Sequence, residues 1–330
     1  MNYSKEFMPQ PRTKILVSRD FAEILIAKES SIIEQRIIAV ILSALKSDQK
    51  LFLNRRQTDI TSKSQQLSFD DYFEGWANQG HVSFALPFKD TNPGKKMKNS
   101  AIQTALINMS NLKWVRLKDE KISGFRAVPF IINPSWNRHS ILFQMDRAIF
   151  QLLMNVSHYY QMKKNLAFAT SSANTIKFLL YIMRFKQRMF GKVLYKNLLQ
   201  DLSLPQGKYE GLYRFKRDFL DPVKADLDEY NDLSFNYVIK RDLLSFVLYH
   251  TKQAVGPNQS YKTEEDLKIS RAVRYLKKVR KLTDEQGFRI QQTYESEGYK
   301  PVALMTKRKI DLQLKGEDYI RAFYQQLAKD

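Results

Sequence analysis

The sequence predicts an α+β fold: two tandem units, each of helices leading into a β-hairpin, followed by a small helical C-terminal segment. Three observations predict it. Apolar residues recur at three- and four-residue intervals in several stretches, which is helical spacing. Those stretches lead twice into alternating runs of β-branched and aromatic residues, which is strand spacing. Past a polar linker that begins near His250, only helical patterns return.

The clearest unit runs from Tyr195 to Tyr249. Leu194, Leu198 and Leu202 share one helical face, and Pro205 and Gly207 end that helix in a tight turn. A long helical pattern follows from Lys208 to about Tyr230. Leu212, Phe215, Phe219 and Val223 form its apolar stripe, with Glu210, Tyr213, Arg214, Arg217, Asp221 and Lys224 opposite. Pro222 removes a backbone donor, so a break is expected near Asp221. Leu233–Lys240 against Leu243–Tyr249 then reads as a hairpin with Lys240-Arg241 at its tip. Helix, turn, helix and hairpin in this order is the layout of a winged helix. There the second helix enters the DNA major groove and the hairpin tip approaches phosphates or the minor groove. An aromatic and two arginines point away from the core, and arginine is the side chain best shaped for guanine O6/N7 and phosphate. The same face also suits plain solvation.

The first half has the same element order without residue identity. Residues 1–17 read as an extended arm, and Ser31–Lys46 as a core helix with Ile33, Ile37, Ile41 and Leu45 on one face. Residues 47–92 are polar and irregular, with a helix candidate at Leu67–Tyr72 and a strand candidate at Val82–Phe88. After the Pro93-Gly94 break, Lys95, Lys96 and Lys98 sit at a helix start, where cations oppose the helix dipole. A phosphate outside the helix would justify them; a solvated loop would also. Ile102, Ala105, Leu106, Met109 and Leu112 make the inner face of that helix, with Asn99 and Gln103 outside. Strand candidates follow at 113–118, 122–132 and 140–145, then a short helix from Asp146 to Met154. Residues 155–174 read as a junction whose Thr170-Ser-Ser172 caps a helix from Ala173 to Met189, stopped by Gly191.

In the C-terminal segment, Glu264–Leu282 pairs an apolar stripe (Ile269, Ala272, Val273, Leu276) with a basic one (Arg271, Arg274, Lys278, Lys281). Thr283-Asp-Glu-Gln286 caps a further helix, and a final helix reaches Ala328. The expected organisation is an arm (1–17), a first winged-helix domain (18–154), a second (155–252) and a basic helical segment (253–330).

Composition narrows the function. A formal net charge of +20 and a pI of about 9.8 imply a polyanionic partner. The absence of cysteine excludes disulfides and cysteine zinc sites and fits a reducing cytosol. With no signal peptide and no apolar run of the ~18 residues a span needs, a soluble, cytoplasmic protein without a membrane partner is expected. The four histidines, His81, His139, His158 and His250, show no metal-ligand spacing, and no phosphate-binding loop is present. The chain is therefore expected to act by binding, not as an enzyme, with no metal and no cofactor.

Particular stretches resemble a known family. Glu34–Leu42 is similar to the opening helix, Ser171–Tyr181 to the serine-led helix, Lys208–Val223 to the recognition helix and Leu233–Lys240 to the wing of plasmid replication initiator proteins of the theta-replicating, tandem winged-helix type. The resemblance covers about residues 15 to 250. It implies binding to directly repeated sites at a plasmid origin, melting of adjacent A·T-rich DNA, and recruitment of a host initiator and replicative helicase. It also implies a monomer–dimer equilibrium, with the first domain serving dimerisation and DNA contact. The alternative is a winged-helix transcriptional regulator, an autorepressor without a replication role. Candidate DNA contacts are Lys208, Tyr209, Tyr213, Arg214, Lys216, Arg217, Lys240 and Arg241 in the second domain, and Lys95, Lys96, Lys98, Asn99 and Gln103 in the first.

Overall fold

A computed structural model describes residues 14–59, 80–93, 97–111, 115–119, 123–170, 172–204, 207–251, 263–306 and 309–328. Among the described residues, ten short strands in small sheets, antiparallel in the pairs whose register is resolved, are interleaved with helices. They are β1 (Lys14–Ser18), β2 (His81–Pro87), β3 (Val115–Asp119), β4 (Gly124–Val128), β5 (Ile132–Trp136), β6 (Ser140–Asp146), β7 (Tyr159–Lys163), β8 (Phe190–Leu194), β9 (Leu233–Lys240) and β10 (Leu243–His250). The chain divides into two units: the described residues of Met1–Arg184 with Leu194–Asp232, and Phe185–Val193 with Leu233–Asp330. No helix among the described residues is long and apolar enough to cross a membrane.

The first unit is built around the helix Ile32–Asp59. Ser31 and Glu34 form a reciprocal cap at its start: the Glu34 backbone N–H donates to Ser31 Oγ (3.2 Å) and the Ser31 N–H to Glu34 Oε2 (2.7 Å). Residues 37–42 are buried in succession, so this stretch of the helix is enclosed on every side. It outruns the apolar periodicity, which ends at Leu45. Beyond it Gln49 is buried, its Nε2 donating to the Leu153 carbonyl (2.8 Å), and a glutamine leaves no hydrophobic signal.

The sheet β2-β6-β5 turns Val82, Phe84, Leu86, Ile141, Phe143 and Met145 inward, and the Phe84 and Phe143 rings stack at 5.1 Å. Asp146 caps the following helix, Arg147–Met154, accepting from the Ala148 N–H (2.8 Å). Strand β1 lies in the stretch expected to be an arm, and β7 in the expected junction; they pair with each other antiparallel. The helix expected at 173–189 ends at Met183. It is buried at every position from Thr175 to Met183.

In the second unit, β8, β10 and β9 form one sheet. Gly191 does not stop a helix; it lies within β8, where an added Cβ would come 2.3 Å from Phe246 Cζ. The strand needs glycine because the Phe246 ring rests on its backbone. Beyond the hairpin, helices Glu264–Arg280, Asp284–Glu297, Tyr299–Thr306 and Gly316–Leu327 enclose a core that includes Ile269, Val273, Ile290, Tyr294, Val302 and Phe323. Thr263 and Thr283 open the first two of these helices with capping boxes to Asp266 and Gln286.

Candidate nucleic-acid interface

The stretch expected to form one helix from Lys208 starts later. Residues 207–209 form a turn, with Gly207 at φ 80°, and Gly211 at φ 85° delivers the chain into the helix at Leu212. Both conformations favour residues without a Cβ. The expected break at Pro222 is absent. Leu212–Phe215 runs into a wider π-type turn at Lys216–Leu220, and the helix continues as Asp221–Tyr230. The Asp221 N–H donates to the Lys216 carbonyl, five residues back. The missing donor of Pro222 thus falls at the first turn after the ladder has already widened, where proline is tolerated.

Buried aromatic rings hold this helix in one rotational setting. Phe215 and Phe219 stack at 4.8 Å, Phe178 meets Phe219 edge-on at 5.7 Å, and Tyr195 tilts against Phe215 at 5.2 Å. Tyr209 belongs to the same cluster, 5.5 Å from the Phe219 ring. It is only 5% exposed, and its hydroxyl accepts from Asn174 Nδ2 (2.7 Å). Tyr209 is therefore a core residue, and its assignment as a DNA contact is corrected; an aromatic at a helix start reads alike in sequence whether it faces in or out.

With the aromatic stripe fixed, Tyr213, Arg214, Lys216 and Arg217 are exposed, Tyr213 at 75%. Arg217 donates through Nε and Nη2 to the two carboxylate oxygens of Asp218 (2.6 and 2.8 Å), and this bond holds the Asp218 carboxyl below its ordinary range. Lys216 Nζ donates to Asp221 Oδ2 at 2.9 Å. Exposed pairs of this kind stabilise little, so a phosphate can replace either carboxylate. Arg214 makes no ion pair or hydrogen bond among the described residues. Lys208 is exposed, its ammonium 5.5 Å from the Tyr209 ring centroid.

Lys208 and Tyr209 also line a cleft of about 230 Å³ with Glu29, Asn174 and Lys177. The Lys177 ammonium, 4% exposed, donates to the Leu202 carbonyl at 2.6 Å, and burial lowers its pKa to about 8.

In the second unit, Lys240 ends β9 and Arg241 begins a two-residue loop at φ 53°; both are exposed. In the first unit, Lys98 stands exposed at the start of the helix Asn99–Met109 with no side-chain cap bond, Asn99 is exposed and Gln103 half-buried. Lys95 and Lys96 lie outside the described residues. Buried Asn92, which the sequence did not flag, accepts from the Met97 N–H (3.0 Å) and donates to the Met97 carbonyl (2.8 Å). The hairpin β3–β4 after that helix adds exposed Arg116, Phe125 and Arg126, the last 3.5 Å from Asp146. Arg116 and Arg126 lie along the strands of that hairpin, opposite Ala127 and Leu117, and not at a tip as Lys240 and Arg241 do; nothing in the sequence pattern marks them.

Among the described residues, no three His, Asp or Glu side chains gather where they could hold a metal ion. No family model and no curated protein matches the chain.

Proposed function

We propose that the chain binds duplex DNA site-specifically, as an initiator of plasmid replication of the tandem winged-helix type. The carrying observation is the exposed ridge of Tyr213, Arg214, Lys216 and Arg217 on a helix whose opposite face is locked by stacked aromatics. A rigid helix presenting guanidinium groups suits the major groove, where arginine pairs bidentately with guanine. Lys240 and Arg241 serve as phosphate contacts, and Lys98, Asn99 and Gln103 make a second, backbone-directed contact. On this reading the DNA carries repeated sites, the protein passes between monomer and dimer, and its partners after origin opening are a host initiator and a replicative helicase.

The test is selection from a random duplex pool, followed by fluorescence anisotropy over a salt series. A recovered consensus whose advantage over scrambled duplex persists as salt rises supports site-specific binding. Equal binding of both duplexes, fading together with salt, overturns it. Maintenance of a plasmid that carries only this gene and the recovered sites separates an initiator from a regulator.

A further inference from the structure

The helix Glu264–Arg280 carries more positive charge than its unit uses. Between Leu267 and Leu282 the chain has seven lysines and arginines and no acidic residue. The fold employs some of them. Arg280 is buried, donating through Nη1 to the carbonyls of Asp311 (2.9 Å) and Leu312 (2.6 Å) with its guanidinium 4.7 Å from the Tyr319 ring. Lys277 pairs with Asp284 and lies over Gly287, and Lys268 pairs with Glu264 at 3.1 Å. Arg274 and Lys278 remain exposed, and among the described residues their side chains have no ion pair.

An aromatic stands among them. Arg271, Tyr275 and Lys278 are spaced four and three apart, so they form one ridge, with Arg274 beside it; Arg271 also donates through Nη2 to the Arg188 carbonyl (2.5 Å), and Arg274 and Lys278 are the cations left to a ligand. Tyr275 is 65% exposed. The apolar face of the helix is already consumed, because Ile269 and Val273 are buried in the core with Ile290 and Phe323. Among the described residues the large apolar side chains this helix exposes are Tyr275 and Val279, one turn apart, too small a stripe to lay on a membrane or into a protein groove.

We propose that this ridge is a second nucleic-acid surface, built for a single strand. Guanidinium and ammonium groups track a phosphate backbone, and an exposed phenol between them offers a ring on which an unpaired base stacks. In a duplex the base faces are already occupied, so Tyr275 adds nothing there. This surface is distinct from the 212–230 helix and stands or falls independently of the duplex-binding reading.

The experiment uses the full-length protein, fluorescein-labelled oligothymidylate of about 20 nucleotides and a duplex of equal length. Tyr275→Ala is expected to weaken oligothymidylate binding roughly 5- to 100-fold while leaving the salt slope and duplex binding unchanged. Arg274→Glu with Lys278→Glu is expected to weaken it further and flatten the slope. All three side chains are exposed, so the thermal midpoint should stay at the wild-type value and report an intact fold. Wild-type oligothymidylate affinity in Tyr275→Ala overturns the proposal, as does a charge reversal that weakens both probes equally.

Discussion

The two helix–hairpin pairs of this chain are alike in order and unlike in construction. The helix Asn99–Met109 is short, packs on the central Ile32–Asp59 helix, buries Ile102, Ala105, Leu106 and Met109, and exposes amides and one lysine near its start. Its hairpin, β3–β4, has two strands. The helix from Leu212 to Tyr230 is anchored by a cluster of rings and exposes arginines, and the β9–β10 hairpin is braced by a third strand, β8. Reading bases demands fixed geometry and forked donors; holding phosphate demands only nearby positive charge and polar groups. On the proposed function, this difference suits the second pair to reading bases and the first to holding phosphate.

The largest way to break this contrast is to remove the anchor. Phe219→Ala deletes a fully buried ring and should cost about 3–5 kcal/mol in a urea melt. A cost near that of a surface substitution would mean the aromatic cluster fixes nothing. Next is the brace. Gly191→Ala pushes a methyl into the Phe246 ring and should cost about 1–3 kcal/mol, read by the same melt. Smaller still is Lys98→Ala, which should weaken all duplexes alike and reduce the salt slope by about one, with no change in sequence preference. A changed preference would give the first helix a reading role.

Lys177, buried with its ammonium on the Leu202 carbonyl, gives a pH signature. Its folded pKa of about 8 is below the ordinary lysine value of 10.5, so between these values the unfolded chain holds a proton the folded chain has lost. Stability should therefore rise from about pH 8 to about pH 9.5 and be lower below that range, where the ammonium is buried charged. Above it the raised tyrosines, Tyr319 pushed up to about 12 among them, reverse the trend. Urea midpoints across this range should lose the rise in Lys177→Met.

Sequence patterns revealed much of this fold, and the exceptions share a cause. The hairpin β9–β10, the strands β2 and β6, the capped helices after Asp146, Ser172 and Thr283 and the exposed face at 213–217 follow from local periodicity and capping chemistry. The β1–β7 pair does not, because its partners lie far apart in the chain and each strand is too short to show alternation. The inward turn of Tyr209 and the place of Gly191 depend on neighbours distant in sequence, Asn174 and Phe246, where tertiary context overrides local preference. The helix passes Pro222 by a local device, the widened turn at 216–220, which apolar periodicity does not reveal.

The central claim is that the 212–230 helix reads bases. Arg214→Ala tests it most directly, since Arg214 is exposed and its removal orphans no buried group. Anisotropy on the selected duplex and on single-base variants of it should show a loss of about 1–3 kcal/mol on the selected site and relaxed choice at one position. Unchanged discrimination at every position in both Arg214→Ala and Arg217→Ala would contradict the account.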